Sequence, residues 1–286
     1  MLDSLKDPNQ ARAFLKGKGR RLLRPAAPRN QVIDLPAFPT KDELLHPDRT
    51  YCLWFCNPKY RLRVRKDQST LTVTEWSRFI DAINTLHESG IPTPTYSDYV
   101  ELHVQAFSTQ GAAWAAHGAN LLSWHREYLW SIENRLRLVN PLVTIPYWNW
   151  GAFTSLPSQL SAPSDLAAWG VTRAPGAMIP SLPSPTQITN TLGQPDFSSF
   201  QRALNAIHGQ VHIWVGGDMA TGGSPADPVF WLHHAMVDKL WADWQRANPG
   251  SSFDPPNIAE TLMPAPLISH TVGQVVSTKT LRYVYL

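Results

Sequence analysis

The chain has 286 residues, of which 43% are hydrophobic and 16% charged. That balance fits a globular protein with a sizeable core and excludes a disordered chain. The formal net charge of +3 gives no electrostatic basis for nucleic-acid binding, and no apolar run approaches the ~20 residues of a membrane span.

Residues 1–60 read as a basic, Pro-rich arm ahead of a core domain over 61–286. Lys16, Lys18, Arg20, Arg21, Arg24 and Arg29 cluster in the arm, most simply as a solvated segment. Wrapping its own domain and docking on a second copy, to give a homo-oligomer, are both open. No apolar stretch of a signal peptide is visible, so a cytoplasmic location is expected. Cys52 and Cys56 are too few for a disulfide framework. They stand as two thiols or one local bridge.

The core opens with Arg61-Leu-Arg-Val-Arg65, which alternates at a strand's period. Thr74 then reads as the cap of a helix from Glu75 to about His87, with Trp76, Phe79, Ile80, Ile83 and Leu86 on one face. A second helix is expected from Tyr96 to about Phe107, carrying His103. A third runs from Trp124 to Val139 behind Ser123. Residues 151–196, rich in Pro, Ser and Gly, read as a long surface excursion. A fourth helix spans Phe197 to about Ile213, with His208 and His212. Asp227-Pro228 opens a fifth, to about Ala247, with Asp as cap and Pro at the first helical position. The tail from Gln274 to Leu286 alternates like a strand.

Ten histidines are present, and seven lie on or beside these helices. His208 and His212, four apart, share a helical face and can reach one metal. His233 and His234 point about 100° apart, so one is expected to face the site. His234 shares its face with Asp238 and Trp241, whereas His233 shares its face with apolar Phe230, Val237 and Leu240. His234 is therefore the expected ligand and His233 a packed neighbour. His103, His117 and His125 form the other set. Six imidazoles with almost no competing Cys or carboxylate suit Zn, Cu, Fe or Ni and disfavour Mg and Mn. A zinc hydrolase would ordinarily show three ligands and an added Glu base.

The motifs then carry a resemblance. His117-Gly-Ala-Asn-Leu-Leu-Ser-Trp-His125-Arg-Glu-Tyr-Leu129, with Glu133 and Leu136, resembles the copper A segment of the tyrosinase family. Ile145-Pro-Tyr-Trp-Asn-Trp150 is similar to the stretch that follows it. His208-Gly-Gln-Val-His212-Ile-Trp-Val-Gly-Gly217 and Ser224-Pro-Ala-Asp-Pro-Val-Phe-Trp-Leu-His233-His234, continuing to Asp238 and Trp241, resemble the two halves of copper B. Tyr283-Val-Tyr285 is similar to the close of that family's core domain. The resemblance implies a mainly α fold with a central four-helix bundle holding two copper ions. His103, His117 and His125 would hold copper A; His208, His212 and His234 would hold copper B. With O2 as co-substrate, it implies oxidation of phenolic small molecules: o-diphenols to o-quinones, with ortho-hydroxylation of monophenols. Some relatives need a copper-delivery protein. An o-aminophenol oxidase and a haemocyanin-like oxygen carrier are the alternatives.

Departures from the family pattern set further expectations. Ala115 stands where many eukaryotic relatives have a Cys bonded to a copper A histidine, so no thioether is expected. The chain stops after Tyr283-Val-Tyr285, so no plugging domain is expected, and the small residues near Thr221–Gly222 suggest an open gate. Gly209 replaces an Asn that helps hold a water in members that hydroxylate monophenols. Asn205 and Asp196 are then the nearest polar candidates, and His233 is a candidate acceptor for the phenol proton. Asp238 is expected to orient an imidazole or to pair with Arg126.

Overall fold

The computed structural model describes residues 62–88, 90–251, 253, 258–263 and 270–286. The basic arm and the two cysteines lie outside the described residues. The fold is mainly α, as expected. Eight helices are described: α1 (Val73–His87), α2 (Tyr96–Ser108), α3 (Leu121–Val139), α4 (Pro163–Trp169), α5 (Pro185–Leu192), α6 (Phe197–Val215), α7 (Val229–Ala247) and α8 (Thr278–Leu281). Two short strands, β1 (Arg63–Arg65) and β2 (Tyr283–Tyr285), pair in parallel. None of the described helices is long and apolar enough to cross a membrane.

Local side-chain chemistry explains where the helices begin. α1 starts two residues before the expected point, because Thr72 rather than Thr74 has a Glu three residues on. Thr72 and Glu75 form a reciprocal capping box, which satisfies two otherwise idle N–H donors. Thr95 and Asp98 do the same for α2. α3 also starts early: a 3-10 turn over Gly118–Asn120 runs straight into it. Ser123 does not cap it, since its Oγ donates back to the Asn120 carbonyl at 3.1 Å. Asp196 caps α6 by accepting from the Ser199 N–H. The cap position of α7 falls on Pro228 rather than on the expected Asp227, which sits one residue ahead and accepts from the Val229 N–H at 2.9 Å.

Two expectations are corrected. The 151–196 excursion contains α4 and α5, each with a Pro in its first turn, where the ring's fixed φ suits a helix start. The tail is not one strand from Gln274. Thr271 and Gln274 cap a 3-10 turn and Ser277 caps α8, which leaves only Tyr283–Tyr285 extended.

α3 is the central helix: Trp124, Tyr128, Leu129, Ile132 and Leu136 are fully buried on it. It packs against α1 on one side and α7 on the other. A buried ionic layer lies beside these helices. Arg65, on β1, donates to Glu133 of α3 through Nε at 3.2 Å and Nη2 at 3.1 Å. Arg126 of α3 donates to Asp238 of α7 at 2.5 Å. Asp238 also accepts from the Tyr283 and Tyr285 hydroxyls at 2.5 and 2.6 Å. The expected Arg126–Asp238 pair is thus present, and Asp238 is buried rather than a surface charge. The parallel register sets Arg63 opposite Tyr283 and Arg65 opposite Tyr285, bringing Arg65 over the Tyr283 ring at 3.9 Å.

Burial raises the Glu133 carboxyl pKa, but Arg65, Arg63 and the Ile145 N–H outweigh it and bring it down to about 2. A carboxylate lowered on folding stabilises the protein above its unfolded pKa, and that stability is lost as pH falls through the folded value. The unfolding free energy is therefore expected to fall between about pH 4.5 and 2, by up to about 3 kcal/mol from this group. Glu133→Gln should start lower and show a flatter acid limb in chemical denaturation across that window.

Candidate metal centre

Seven imidazoles converge where α2, α3, α6 and α7 meet. His103 comes from mid-α2, His125 from the first turns of α3, and His117 from the turn before it. Their ring centroids are 5.6 Å (His103–His125), 6.3 Å (His103–His117) and 6.1 Å (His117–His125) apart. The second set is closer: His208–His212 at 4.6 Å, His208–His234 at 4.9 Å and His212–His234 at 5.4 Å. The sets meet face to face, with His125 stacked on His234 at 3.9 Å and 7°.

His233 does not stay outside. It is fully buried and stacks on His208 at 5.2 Å and 10°. The ligating atoms of His208, His212, His233 and His234 all lie within 4.8 Å of one another. The 100° between adjacent residues turns His234 toward α3 and His233 toward α6. α7 lies between those helices, so both directions point inward.

The tautomers are fixed from outside the cluster. Nδ1 of His103 lies 2.7 Å from the Gly222 carbonyl, that of His125 2.9 Å from Leu121 O, and that of His212 2.6 Å from Met219 O. A carbonyl only accepts, so each of these Nδ1 atoms carries the proton and Nε2 is a bare lone pair. Nε2 of His125 and of His208 is buried with no partner. Nε2 of His212 and His234 face each other at 3.2 Å. Unpartnered buried acceptors cost about 1–3 kcal/mol each, and a soft-to-borderline cation placed among them removes that cost. Imidazoles pinned at Nδ1 and open at Nε2 are what such an ion needs.

Electrostatics agree. Burial is the leading cause that lowers the pKa of each of these histidines, to about 3 for His103 and about 4 for His212. His125, His208, His233 and His234 fall well below the ordinary value, helped by one another's proximity. All are neutral donors at pH 7. The surroundings are apolar: Phe230 lies 4.2 Å from His234 and 5.1 Å from His103, and Trp124 4.9 Å from His125.

The other expected site residues divide. Asn205 sets its Oδ1 3.3 Å from His208 Nδ1 and so orients that ring. Gly209 has open space where a Cβ would stand. Asp196 is used as the helix cap, twelve residues or about 18 Å along the axis from His208. Among the described contacts Asp238 touches no imidazole; it pairs with arginines instead. Sequence reasoning read the loop over residues 217–226 only as a gate and missed what its backbone does. Its carbonyls at Met219 and Gly222 orient one histidine of each set, and backbone atoms leave no letter in a sequence. Both ends of the loop are tied to the excursion. Asp218 accepts from the Thr172 N–H at 2.7 Å, and Asp227 accepts two bonds of 2.6 Å from Arg173.

Two facing sets of neutral imidazoles in a dry helical core define a binuclear metalloprotein with nitrogen ligands. The family model for the common central domain of tyrosinase matches residues 93–175 and 165–247. The tyrosinase of Streptomyces glaucescens is 32% identical over 278 residues, covering 76% of this chain and 100% of that protein. Among solved structures, a functional unit of octopus hemocyanin superposes with a TM-score of 0.65 at 23% identity, over 78% of this chain and 68% of that one. A polyphenol oxidase from Thermothelomyces thermophila gives 0.58 at 19%, over 99% and 100%. The chain belongs to the tyrosinase family. It is a tyrosinase-type oxidoreductase with two copper ions and dioxygen as co-substrate.

Gly217 tests the role of the loop. Its φ is +56°, and an added Cβ would stand 2.1 Å from the Thr172 carbonyl oxygen. Gly217→Ala is expected to displace the loop and weaken copper retention at both sites by roughly 10–100-fold, the usual effect of losing an outer partner of a ligand. Competition with a chelator, read as copper per chain, measures it.

Proposed function

We propose that this protein oxidises o-diphenols to o-quinones and also ortho-hydroxylates monophenols. His103, His117 and His125 hold one copper; His208, His212 and His234 hold the other. The observation that carries this reading is that His103 and His125 in one set and His208 and His212 in the other are held at Nδ1, while Nε2 of His125 and of His208 is buried without a partner. Bound copper supplies dioxygen binding and two-electron oxidation. The protein's own groups supply the rest. Leu121 O, Gly222 O, Met219 O and Asn205 Oδ1 hold the rings in place, while Phe230 and Trp124 keep water out.

His233 takes a separate role. It is the one imidazole of the cluster with both ring nitrogens unpartnered and no ligand duty assigned. Its bare nitrogen is the acceptor for a phenol proton. Burial holds its pKa well below the ordinary imidazole value, so the ring is neutral. With Gly209 in place of a water-holding side chain, diphenol oxidation is the stronger activity.

An oxygen carrier is the second reading, supported by a 29% identity to hemocyanin units G and H of Sepia officinalis over 64% of this chain. Steady quinone formation from catechol, followed optically, decides between them. Oxidation is expected, and reversible dioxygen binding with no quinone would sink the enzymatic reading. His208→Ala should lower copper from two ions per chain to one and abolish turnover. Gly209→Asn, which has room for its side chain, should raise the monophenol-to-diphenol rate ratio on the order of tenfold, below the roughly 10²–10⁴ of a complete general base.

A further inference from the structure

Four imidazoles of the cluster are held at Nδ1, and their holders are of two kinds. His125 is held by Leu121 O at 2.9 Å and His208 by Asn205 Oδ1 at 3.3 Å, each from one turn earlier in its own helix. His103 and His212 are held instead by Gly222 O at 2.7 Å and Met219 O at 2.6 Å. Each set therefore has one imidazole held by its own helix and one held by the 217–226 loop. Among the described contacts, this loop is the backbone segment that orients rings of both sets.

The loop is stitched to itself. The Thr221 N–H donates to Asp218 O at 3.0 Å, that of Ser224 to Thr221 O at 3.1 Å, and that of Asp227 to Ser224 O at 3.2 Å. Successive bonds of this kind build 3-10 turns over Gly217–Ala220 and Ser224–Ala226, so a shift at one end carries both carbonyls with it.

Its seat is set from the excursion. The Ala174 N–H donates to Val215 O at 2.9 Å and the Gly176 N–H to Trp214 O at 2.8 Å, taking carbonyls that the end of α6 leaves idle. Between them and Thr172, Arg173 turns inward, with a side chain 5% exposed. Its Nε and Nη2 each donate to Asp227 at 2.6 Å, and its Nη1 donates to Leu160 O at 2.8 Å. Asp227 is fully buried, ends the loop, and also accepts from the Val229 N–H of α7. A bidentate guanidinium–carboxylate pair fixes an angle as well as a distance. The Tyr96 hydroxyl adds a single bond, to Pro225 O at 2.8 Å, which fixes a distance only.

We propose that Arg173 is a positioning residue for both metal sites. Acting through Asp227 and the loop, it holds His103 and His212 with the proton on Nδ1 and Nε2 turned to the metal. The proposal rests on the assignment of the six ligating histidines above.

The test uses the zinc-loaded protein, which is diamagnetic, and reads the histidine ring N–H protons by NMR. In Arg173→Gln, those of His103 and His212 should exchange with water about three- to tenfold faster, the worth of one net hydrogen bond. That of His125, held within α3, should stay as in the wild type. A second measurement uses copper-loaded His208→Ala, which keeps only the ion of the first set. There Arg173→Gln should weaken retention against a chelator by roughly 10–100-fold, as when a ligand loses its outer partner. A role confined to the start of α7 would spare that ion, because α7 carries no ligand of the first set. Should Arg173→Gln not fold, Arg173→Lys, which keeps the charge but not the fork, should give the same pattern at smaller amplitude. Unchanged His103 and His212 protons, a change at His212 alone, or an equal change at all three histidines overturns the positioning role. A wild-type protein that does not take up two ions overturns the ligand assignment, and the positioning role with it.

Discussion

The ion pair between Arg126 and Asp238 sets the geometry on which the centre depends. Arg126 follows His125 directly, and Asp238 lies one turn beyond His234. Their contact, with both side chains buried, fixes how α3 and α7 slide and rotate against each other. It thereby fixes the face-to-face meeting of His125 and His234. Burying two charges is expensive and seldom adds net stability. Here the cost is reduced by many partners: two tyrosine hydroxyls and Arg65 on Asp238, and Trp241 under the Arg126 guanidinium at 3.6 Å. An apolar pair would fill the same space but would not specify one register, and a metal centre needs one register.

Charge is sorted by layer. Glu133, Asp238 and Asp227 are fully or almost fully buried, and each is matched to an arginine. No carboxylate belongs to the cluster of ligating side chains identified among the described residues. The imidazoles are therefore neutral and the metal charge is not cancelled locally. Neutral donors in a low dielectric would hold the copper ions without cancelling their charge. The acidic residues stabilise the scaffold one layer away without quenching the centre.

Much of this was legible in the letters. Histidines at a four-residue spacing on one helix, and an Asp-Pro pair just ahead of another, carry helix and ligand in the same few residues. The errors have physical causes. Two threonines compete to start α1, and Glu75 decides for Thr72 by reaching back to it. α4 and α5 are too short for a periodic apolar face, so their Pro-rich sequence reads as irregular. The apolar alternation of the tail is interrupted by the end of the 3-10 turn over Val272–Val275 and by the cap at Ser277, which count for more than β propensity over so few residues. His233 reads as packing because its helical face is apolar, yet that face is interior on both sides. The carbonyls of Met219 and Gly222 could not be read at all, since their placement depends on how Thr172 and Arg173 seat a distant loop.

The small parallel ladder has a temporal consequence. β1 opens the described core, and its partner β2 lies about 220 residues later in the chain. At synthesis rates of roughly 5–20 residues per second, on the order of ten to forty seconds separate the two. Until Tyr283 and Tyr285 emerge, the buried Arg126–Asp238 pair lacks two of the hydroxyl partners that offset its desolvation.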